Sequence, residues 1–542
     1  MLKMNKFVRA MLGITIFVIL AAFSPITENK SKDIGSRNSG VEIDPSKPIQ
    51  VDGGKITGTL SSDSEVAVYK GIPFAAPPVG DLRWKDPQPV VKWKGGKEAD
   101  TFGPSCIQPD QAPFLMWSTE FIIDTTKGYS EDCLSLNVWT QTESDSKNRP
   151  VIVYIHGGGN TSGGSSVEVY DGEAIAKKDA VYVSINYRLG ILGFLAHPEL
   201  SAESKDEVSG NYAVLDQIAA LEWVKKNIHK FGGDPKNVTI AGQSAGSANV
   251  NTLALSPKAH GLFKNAVAMS FNVVNSKYPT LAESEEAGST VFEGKTLEEM
   301  RALPTDQLLS LRFNGGYTID GKVVTDQPIN VLKKGAQNDV AMMTGYVQGD
   351  TSIGGVLQYG GFFVPQTSIS KVKYEELVKQ VFGTKASEVL ALYPATGDEA
   401  VSQFNAVNQD AMKASQLAFA KARALQGKAP TYVYYFDHVM PGEDSEQFGA
   451  FHTADVPYFL NYFSPLREDF WTQTDYDLGD KMSKYLVNFA KTGNPNGGKL
   501  PNWKAYNGIM SFIHFGDQVT TTKLSAEKAM FWEDYYDGLL GL

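Results

Sequence analysis

The sequence predicts an α/β fold with a large, mostly parallel central sheet flanked by helices, and two patterns support this prediction. Short, nearly continuous runs of apolar and β-branched residues are typical of strands covered on both faces. Such runs lie at 151–155, 180–185, 238–241, 340–344 and 431–436. Between the second and third runs, apolar residues recur at helical spacing, which predicts a crossover helix with a wide buried face. That helix is expected over 211–229, and later helices over 370–382, 410–425 and 477–492.

The composition excludes several classes of protein before any motif is considered. The chain has 542 residues, with 61 acidic and 50 basic side chains and a net charge of −11. This balance argues against a nucleic-acid partner, because it leaves no surplus of cations to neutralise a phosphate backbone. Two cysteines are too few for a disulfide scaffold or a four-cysteine metal site. No glycine-rich nucleotide-binding string occurs, so dinucleotide and nucleoside-triphosphate chemistry are not expected.

The N-terminus has the pattern of a secretory signal peptide, predicted over residues 1–24. Lys3, Lys6 and Arg9 precede an uncharged apolar run, Ala10–Phe23, and no cysteine follows that would carry a lipid anchor. We therefore expect a secreted or periplasmic protein, without stable membrane insertion once the signal is cleaved. The alternative is an uncleaved membrane anchor, although the run is slightly short for a spanning helix.

The chain after the signal is predicted to consist of a leader and one domain. Residues 25–44 include a stretch rich in Ser, Asn, Gly and Lys, a composition typical of flexible segments. Beyond this leader we find neither an internal repeat nor a linker that divides the chain. Residues 45–542 are therefore predicted to form a single large domain, and nothing in the sequence indicates its oligomeric state.

A single Gly-x-Ser-x-Gly string, Gly242-Gln-Ser244-Ala-Gly246, indicates a nucleophilic serine. It lies where the 238–241 strand should turn into a helix beginning near Ala245. A tight turn between strand and helix exposes the serine side chain, and the helix N-terminus favours the negative charge that develops there. The string alone is a weak signal, but its strand and helix context makes Ser244 the candidate nucleophile.

A run of three glycines after the 151–155 strand indicates an oxyanion hole. It reads His156-Gly-Gly-Gly159, and without side chains its N–H groups can point at a carbonyl oxygen that is becoming an oxyanion. Alone, such a run would predict a flexible turn. Together with the serine turn, it predicts an oxyanion hole built from the N–H groups of Gly158, Gly159 and Ala245.

A nucleophilic serine needs a histidine base, and the base needs an acid that orients it. His452 lies in a loop that opens before an apolar segment, while His438 follows a predicted strand and is a competitor. Asp350 follows the 340–344 strand, and from the local sequence it is no better a candidate for the acid than Asp326. The residues alone therefore leave the acid open.

Several strings together resemble the type-B carboxylesterase family, which includes cholinesterases and many microbial esterases and lipases. The resemblance covers roughly residues 45–535 and preserves the family order of its motifs. It implies an α/β-hydrolase fold in one domain, with the active site in a gorge. The strings are those at 69–80, 131–137, 156–159, 186–190, 231–246, 449–458 and 493–496.

The resemblance also assigns roles to individual residues. It implies a triad of Ser244, Asp350 and His452, although the family more often has Glu where this chain has Asp350. It implies a disulfide between Cys106 and Cys133, which an oxidising compartment would allow. Three further structural roles follow from it: Arg83 pairs with Glu131, and Ser270 and Asp455 steady the histidine.

Departures from the family pattern bear on the substrate. Gln243 stands where cholinesterases and most relatives carry Glu, and Ile123 stands where cholinesterases carry a ligand-stacking Trp. Asn160 replaces a common bulky aromatic, and Phe271 ends a string that reads differently in the family. Choline esters are therefore not favoured.

The function predicted from these residues is a secreted serine hydrolase of small-molecule carboxylic esters that works through an acyl-enzyme. This chemistry needs no metal or organic cofactor. One alternative is a lipase acting at lipid interfaces, with an apolar lid supplied by residues 114–117 and 121–123. A second is a non-catalytic adhesion or binding protein, since one fold can host both; the intact serine, histidine and glycines argue against it.

Overall fold

The strands of the central sheet follow the apolar runs of the sequence. The computed structural model describes residues 41–361, 363–443, 445–509 and 511–542. The predicted signal peptide and the predicted leader up to residue 40 lie outside the described residues. The described residues from Val41 to Leu542 belong to one compact unit.

Eleven strands form one sheet in the described part of the chain, in the order β11-β10-β9-β8-β7-β6-β4-β5-β3-β2-β1. They are β1 Thr59–Leu60, β2 Val66–Pro73, β3 Ser135–Gln141, β4 Arg149–Ile155, β5 Val181–Ile185, β6 Gly233–Gln243, β7 Asn265–Met269, β8 Ala341–Val347, β9 Thr431–Phe436, β10 Ser511–Phe515 and β11 Val519–Lys523. All five predicted strands are confirmed, and β9 has the predicted bounds.

The sheet is mixed, which corrects the prediction of a mostly parallel one. The pairings from β10 across to β5 are parallel, whereas β11 with β10 and all pairings from β5 to β1 are antiparallel. A continuous apolar run identifies only a strand buried on both faces, and such strands lie at the centre. Edge strands such as β11 are largely exposed and carry no such run.

Helices cover both faces of the sheet, and the crossover helix predicted between β5 and β6 is confirmed. The longer helices are α1 Tyr212–Asn227, α2 Ala245–Leu255, α3 Leu281–Val291, α4 Lys371–Phe382, α5 Val401–Ala424, α6 Gln473–Thr492 and α7 Ala526–Leu540. Shorter α-helices are Glu173–Ala176, Gly190–Phe194, Pro198–Glu203, Leu297–Ala302, Thr305–Ser310, Pro328–Lys333, Thr351–Gly354, Ala386–Leu392, Ser445–Phe448 and Val456–Leu460. Within the described ranges, no helix has both the length and the apolar character needed to cross a bilayer.

The parallel strands place the candidate residues at one edge of the sheet. Since parallel strands run in the same direction, the segments after β4, β6, β8 and β9 leave from the same end. Those segments carry the glycine run, Ser244, Asp350 and His452 respectively. Residues that are far apart in the sequence therefore converge at this edge.

Candidate active site

Ser244 occupies a strained turn between β6 and α2. Its φ of 59° and ψ of −123° lie in a region that side chains other than glycine rarely adopt, and its N–H donates to Met269 O at 2.9 Å. The flanking glycines allow the turn to pack against β4. A Cβ on Gly246 would lie 2.1 Å from Ile155 O, and one on Gly242 would lie 2.6 Å from the Gly246 carbonyl. The local sequence thus forces the serine side chain outward.

The serine opens into a cavity of about 640 Å³. His452 and all three predicted oxyanion-hole residues line the same cavity. None of the described residues that line it is an Asp, Glu, Lys or Arg. Its walls are mainly apolar and aromatic, and they include Phe114, Trp117, Phe121, Ile122, Ile123, Val167, Tyr170, Phe271, Tyr317, Ile353 and Phe363.

Asp350 forms a short hydrogen bond with His452. The imidazole Nδ1–H donates to Asp350 Oδ1 at 2.5 Å, and the other carboxylate oxygen accepts from Val347 N–H at 3.0 Å. The turn carrying Asp350 packs directly on the histidine loop, because Gly349 N–H donates to Ala450 O at 2.7 Å. A Cβ on Gly349 would also lie 2.7 Å from that oxygen. This close approach explains how an aspartate, shorter than the usual glutamate, reaches the ring.

The second imidazole nitrogen contacts Gln243. With the proton on Nδ1 held by the acid, His452 Nε2 is an acceptor, and Gln243 Nε2 donates to it at 3.2 Å. No hydrogen bond joins Ser244 to His452 within the described residues. Hydrogen bonds between nucleophile and base are often long in the absence of substrate, and they tighten in the reacting complex.

The glycine run is held through its carbonyl groups, which leaves its N–H groups free to bind a ligand. Gly158 O accepts from Thr161 N–H at 3.1 Å and from Ser162 N–H at 2.9 Å. Gly158 has a φ of 100°, and a Cβ there would lie 2.1 Å from Ser162 O, so only glycine fits. In the described structure the N–H groups of Gly158, Gly159 and Ala245 donate to no protein atom. The third of these groups begins helix α2, where the helix dipole favours an anion.

The competing residues lie in other surroundings. His438 is bonded to Asp475 at 2.9 Å and to Asp517 at 2.7 Å; burial opposes its protonation, but the two carboxylates outweigh burial and raise its pKa. Asp326 accepts from Lys334 at 2.7 Å, which lowers its pKa to about 2. Neither residue lines the cavity that contains Ser244.

Ser270 and Asp455 lie near the histidine without a hydrogen bond to it among the described residues. Ser270 lines the cavity with a φ of 61°, and its buried Oγ has no partner there. Asp455 is fully buried and accepts from Tyr434 Oη at 2.6 Å. Burial raises the pKa of Asp455 to about 7, and nearby Asp350 adds to that effect.

Residues that depart from the family pattern contact the site or line its cavity. Ile123 lines the cavity wall. Asn160, with a φ of 59°, donates to Tyr317 Oη at 3.1 Å and accepts from Asn249 Nδ2 at 3.0 Å. These contacts place an amide network beside the glycine run, where the sequence alone indicated only the loss of an aromatic.

A disulfide closes the segment that forms one wall of the cavity. Cys106 and Cys133 are bonded across 27 positions. Close to the second cysteine, Glu131 accepts two hydrogen bonds from the guanidinium of Arg83, at 2.8 and 2.5 Å. The same guanidinium donates to two backbone carbonyls, those of Arg301 and Leu303. Arg83 therefore ties the base of this loop to the helical region beyond α3.

A serine turn after a central strand, with an acid and a histidine delivered by the ends of later strands, defines an α/β-hydrolase. The chain belongs to the carboxylesterase family, whose model matches residues 45–532. It is accordingly a serine carboxylic ester hydrolase.

Three relatives illustrate the breadth of the family. The chain is 33% identical to the fumonisin B1 esterase of Sphingopyxis macrogoltabida, over 84% of each chain. It is 30% identical to carboxylesterase 1C of Mus musculus, over 89% of this chain and 91% of the relative. It is also 30% identical to the cholinesterase of Mus musculus, over 88% of this chain and 84% of the relative.

Proposed function

We propose that the protein is a secreted carboxylesterase in which Ser244 is the nucleophile, His452 the base and Asp350 the orienting acid. The observation that carries this proposal is the 2.5 Å hydrogen bond between Asp350 and His452, formed beside the cavity into which the strained Ser244 opens. That bond fixes the proton on Nδ1, so Nε2 carries the lone pair that accepts the serine proton in place of the Gln243 amide.

The reaction proceeds in two half-reactions. His452 Nε2 takes the proton of Ser244 Oγ while the oxygen attacks the ester carbonyl, and the oxyanion is bound by the N–H groups of Gly158, Gly159 and Ala245. The imidazolium then gives its proton to the leaving alkoxide, so the alcohol departs and an acyl-serine remains. Water, deprotonated by the same histidine, attacks the acyl-serine. The acyl–Oγ bond then breaks, the imidazolium returns the proton to Ser244 Oγ, and the acid is released.

The cavity walls favour an uncharged ester. Since its described lining has no Asp, Glu, Lys or Arg, a charged acyl or alcohol group would lose hydration without gaining a partner. The aromatic walls instead offer apolar contact to both halves of the substrate. Small-molecule esters with uncharged acyl and alcohol parts are therefore the proposed substrates.

Export is supported by two independent features. The N-terminal pattern of basic residues before an apolar run is typical of a secretory signal peptide. The Cys106–Cys133 disulfide is typical of an oxidising compartment outside the cytosol. N-terminal sequencing of protein recovered from the medium or the periplasm tests this: a chain still beginning at Met1 would contradict cleavage.

The triad is tested by Ser244→Ala and His452→Gln, assayed on 4-nitrophenyl acetate. Each variant is expected to lose about 10⁶-fold in kcat, because the members of a triad act as a unit. A matched control is His514→Gln, since His514 lies on β10, next to the edge strand β11, and is bonded to Asp437 away from the cavity. Turnover by Ser244→Ala within a hundredfold of wild type would overturn the proposal.

A second candidate function, lipase activity at a lipid interface, is favoured by exposed apolar side chains near the cavity. Phe114 and Leu115 are 58% and 37% exposed in the disulfide-closed segment. Leu115 shares a surface cavity with Leu466 and Phe470, both also exposed. A lipase is expected to accelerate once its ester exceeds the solubility limit. Rates that saturate below that limit would favour the esterase.

A further inference from the structure

One side chain of the disulfide-closed segment, Trp117, contacts the loop of the proposed base. Its indole N–H donates to Thr453 Oγ1 at 2.9 Å, and Thr453 directly follows His452. The indole also meets the His452 imidazole edge to face, with ring centroids 6.4 Å apart and planes at 88°. The ring of Phe363 packs against the indole at 4.8 Å. The tryptophan is thus in contact with both the histidine and its neighbour.

Thr453 has a backbone conformation that needs outside support. Its φ of 95° is in the left-handed region, where a β-branched residue is a genuine outlier. Such a residue keeps this conformation only when its surroundings hold it there. The threonine is buried, and its hydroxyl is the group that the indole binds. Loss of this hydrogen bond would leave Thr453 held only through its backbone, where its carbonyl accepts from Val456 N–H at 3.0 Å.

The segment that carries Trp117 is held by residues that precede and follow His452 in the sequence. Arg467 donates to Ser118 Oγ and to the Glu120 carboxylate, and it donates to Pro441 O at 3.1 Å. The ring of Phe121 packs edge to face on that of Phe451, with centroids 5.8 Å apart. The segment that carries the indole is therefore clamped to residues before and after the histidine.

The same disulfide-closed segment also contacts the loop that carries the proposed oxyanion-hole glycines. Gly163 N–H donates to Gln108 Oε1, and Gln108 Nε2 donates in turn to Gly163 O, both at 2.8 Å. Gly163 lies four positions beyond Gly159, in the proposed oxyanion loop. One covalently closed segment thus connects the loop that binds the oxyanion to the loop that carries the base.

We propose that Trp117 is a positioning residue for the reaction: its hydrogen bond to Thr453 holds His452 in the orientation that Ser244 requires. This inference rests on the proposed triad. The simpler reading is that the indole N–H finds a partner because tryptophan N–H groups withdrawn from water usually do, and that the half-buried ring merely lines the cavity. The two readings predict different kinetics, because orientation of the base affects kcat whereas a wall contact affects the binding of long acyl chains.

The test removes the hydrogen bond from each side in turn. Trp117→Phe keeps a ring but loses the donor, and Thr453→Val keeps the shape but loses the acceptor. On 4-nitrophenyl acetate we expect each variant to lose about five- to tenfold in kcat, with KM changed less than twofold. The double variant should be no slower than the slower single one, since both remove the same interaction. Thr453→Ser, which restores the hydroxyl, should recover most of the lost kcat.

Two controls separate positioning from other effects. Trp471→Phe removes an indole hydrogen bond, to Ser464 O at 3.0 Å, outside the cavity, and should leave the kinetics unchanged. The factor lost by Trp117→Phe should be the same on 4-nitrophenyl octanoate as on the acetate. A loss that grows with chain length, or single effects that multiply in the double variant, would overturn the inference.

The same variants distinguish failure of the positioning role from failure of the proposed triad. If Ser244→Ala is inactive while Thr453→Val keeps wild-type kcat, the triad stands and the positioning role of the indole falls. If Ser244→Ala remains active, the triad itself is wrong. Should Trp117→Phe fail to fold, Thr453→Val decides the question, because it changes a single hydroxyl to a methyl group.

Discussion

Asp350 reaches the histidine because the chain on either side of it is held in place. Its carboxylate divides its two oxygens between His452 Nδ1 and the N–H of Val347. Gly349, beside it, lets the turn touch the backbone of Ala450. In the proposed triad, this carboxylate holds the tautomer of the imidazole and stabilises the imidazolium that forms during the reaction.

Two substitutions at Asp350 should distinguish the contribution of its charge to kcat from the contribution of its size. We expect Asp350→Asn to lose about 10⁴-fold in kcat, as in the analogous change in a serine protease, because an amide favours the wrong tautomer. Asp350→Glu should retain measurable activity, since it keeps the charge and relatives carry Glu there. Steady-state kinetics on an aryl ester measure both. Asp326→Asn is the control, and the assignment fails if that variant is inactive while Asp350→Asn is not.

At the scale of elements, the disulfide-closed segment links two loops that come from different strands. Its cysteines are both buried, at 3% and 1% exposure, so the bond is protected from solvent. Closure of 27 positions reduces the conformational freedom of the unfolded chain. The same closure limits how far the segment between the two loops can move.

Removal of the disulfide should therefore lower the stability of the folded protein. For the double variant Cys106→Ala with Cys133→Ala, the chain-entropy relation gives a loss of about 3–4 kcal/mol in the free energy of unfolding. Guanidinium titration of wild type and variant measures it. Reduction of the wild-type protein should reproduce the shift. An unchanged midpoint in the double variant would contradict the prediction that the disulfide stabilises the folded protein.

At the scale of the whole molecule, one buried carboxyl makes stability depend on pH. Asp455 titrates near 3.8 when unfolded, whereas burial raises its pKa to about 7 in the folded protein. Between these values the folded state keeps a proton that the unfolded state has released. The resulting stabilisation is fully present below about pH 4 and is lost as the pH rises through about 7.

Asp455→Asn should abolish this component, because an amide does not titrate yet can still accept the hydrogen bond from Tyr434. We expect the wild type to lose more stability than the variant between pH 5 and pH 8, by at most about 3 kcal/mol. Thermal unfolding at both pH values measures the difference. Asp326→Asn is the matched control, since the pKa of that carboxyl is lowered to about 2 and it titrates below this window. Parallel curves for wild type and Asp455→Asn would contradict the prediction.

The sequence predicted the centre of the fold better than its edges, and it indicated the proposed nucleophile more directly than the proposed acid. Strand β9 has its predicted bounds, because a doubly buried strand is apolar throughout, whereas helix α5 begins at Val401 rather than 410 because its first turns are partly polar. Ser244 was evident because its turn is encoded locally by Gly242 and Gly246.

Partners brought together by tertiary packing could not be read from local sequence in the same way. The choice of Asp350 over Asp326 depends on the contact of Gly349 with Ala450, and these two residues lie on different loops. The bond from Trp117 to Thr453 spans 336 positions, and no local pattern encodes it. A lone tryptophan between two cysteines was the only signal, and it does not name a partner.

The order of the proposed catalytic residues along the chain has a consequence for when the enzyme becomes active. Ser244 leaves β6, while the acid and base leave β8 and β9, and the hydrogen bond between the latter two spans 102 positions. Parallel strands are joined by long crossovers, and contacts so distant in sequence form late during folding. Ester cleavage therefore has to wait until the later parallel strands have docked. If the chain crosses the membrane before it folds, it would thus be latent inside the cell and gain its activity only on the far side.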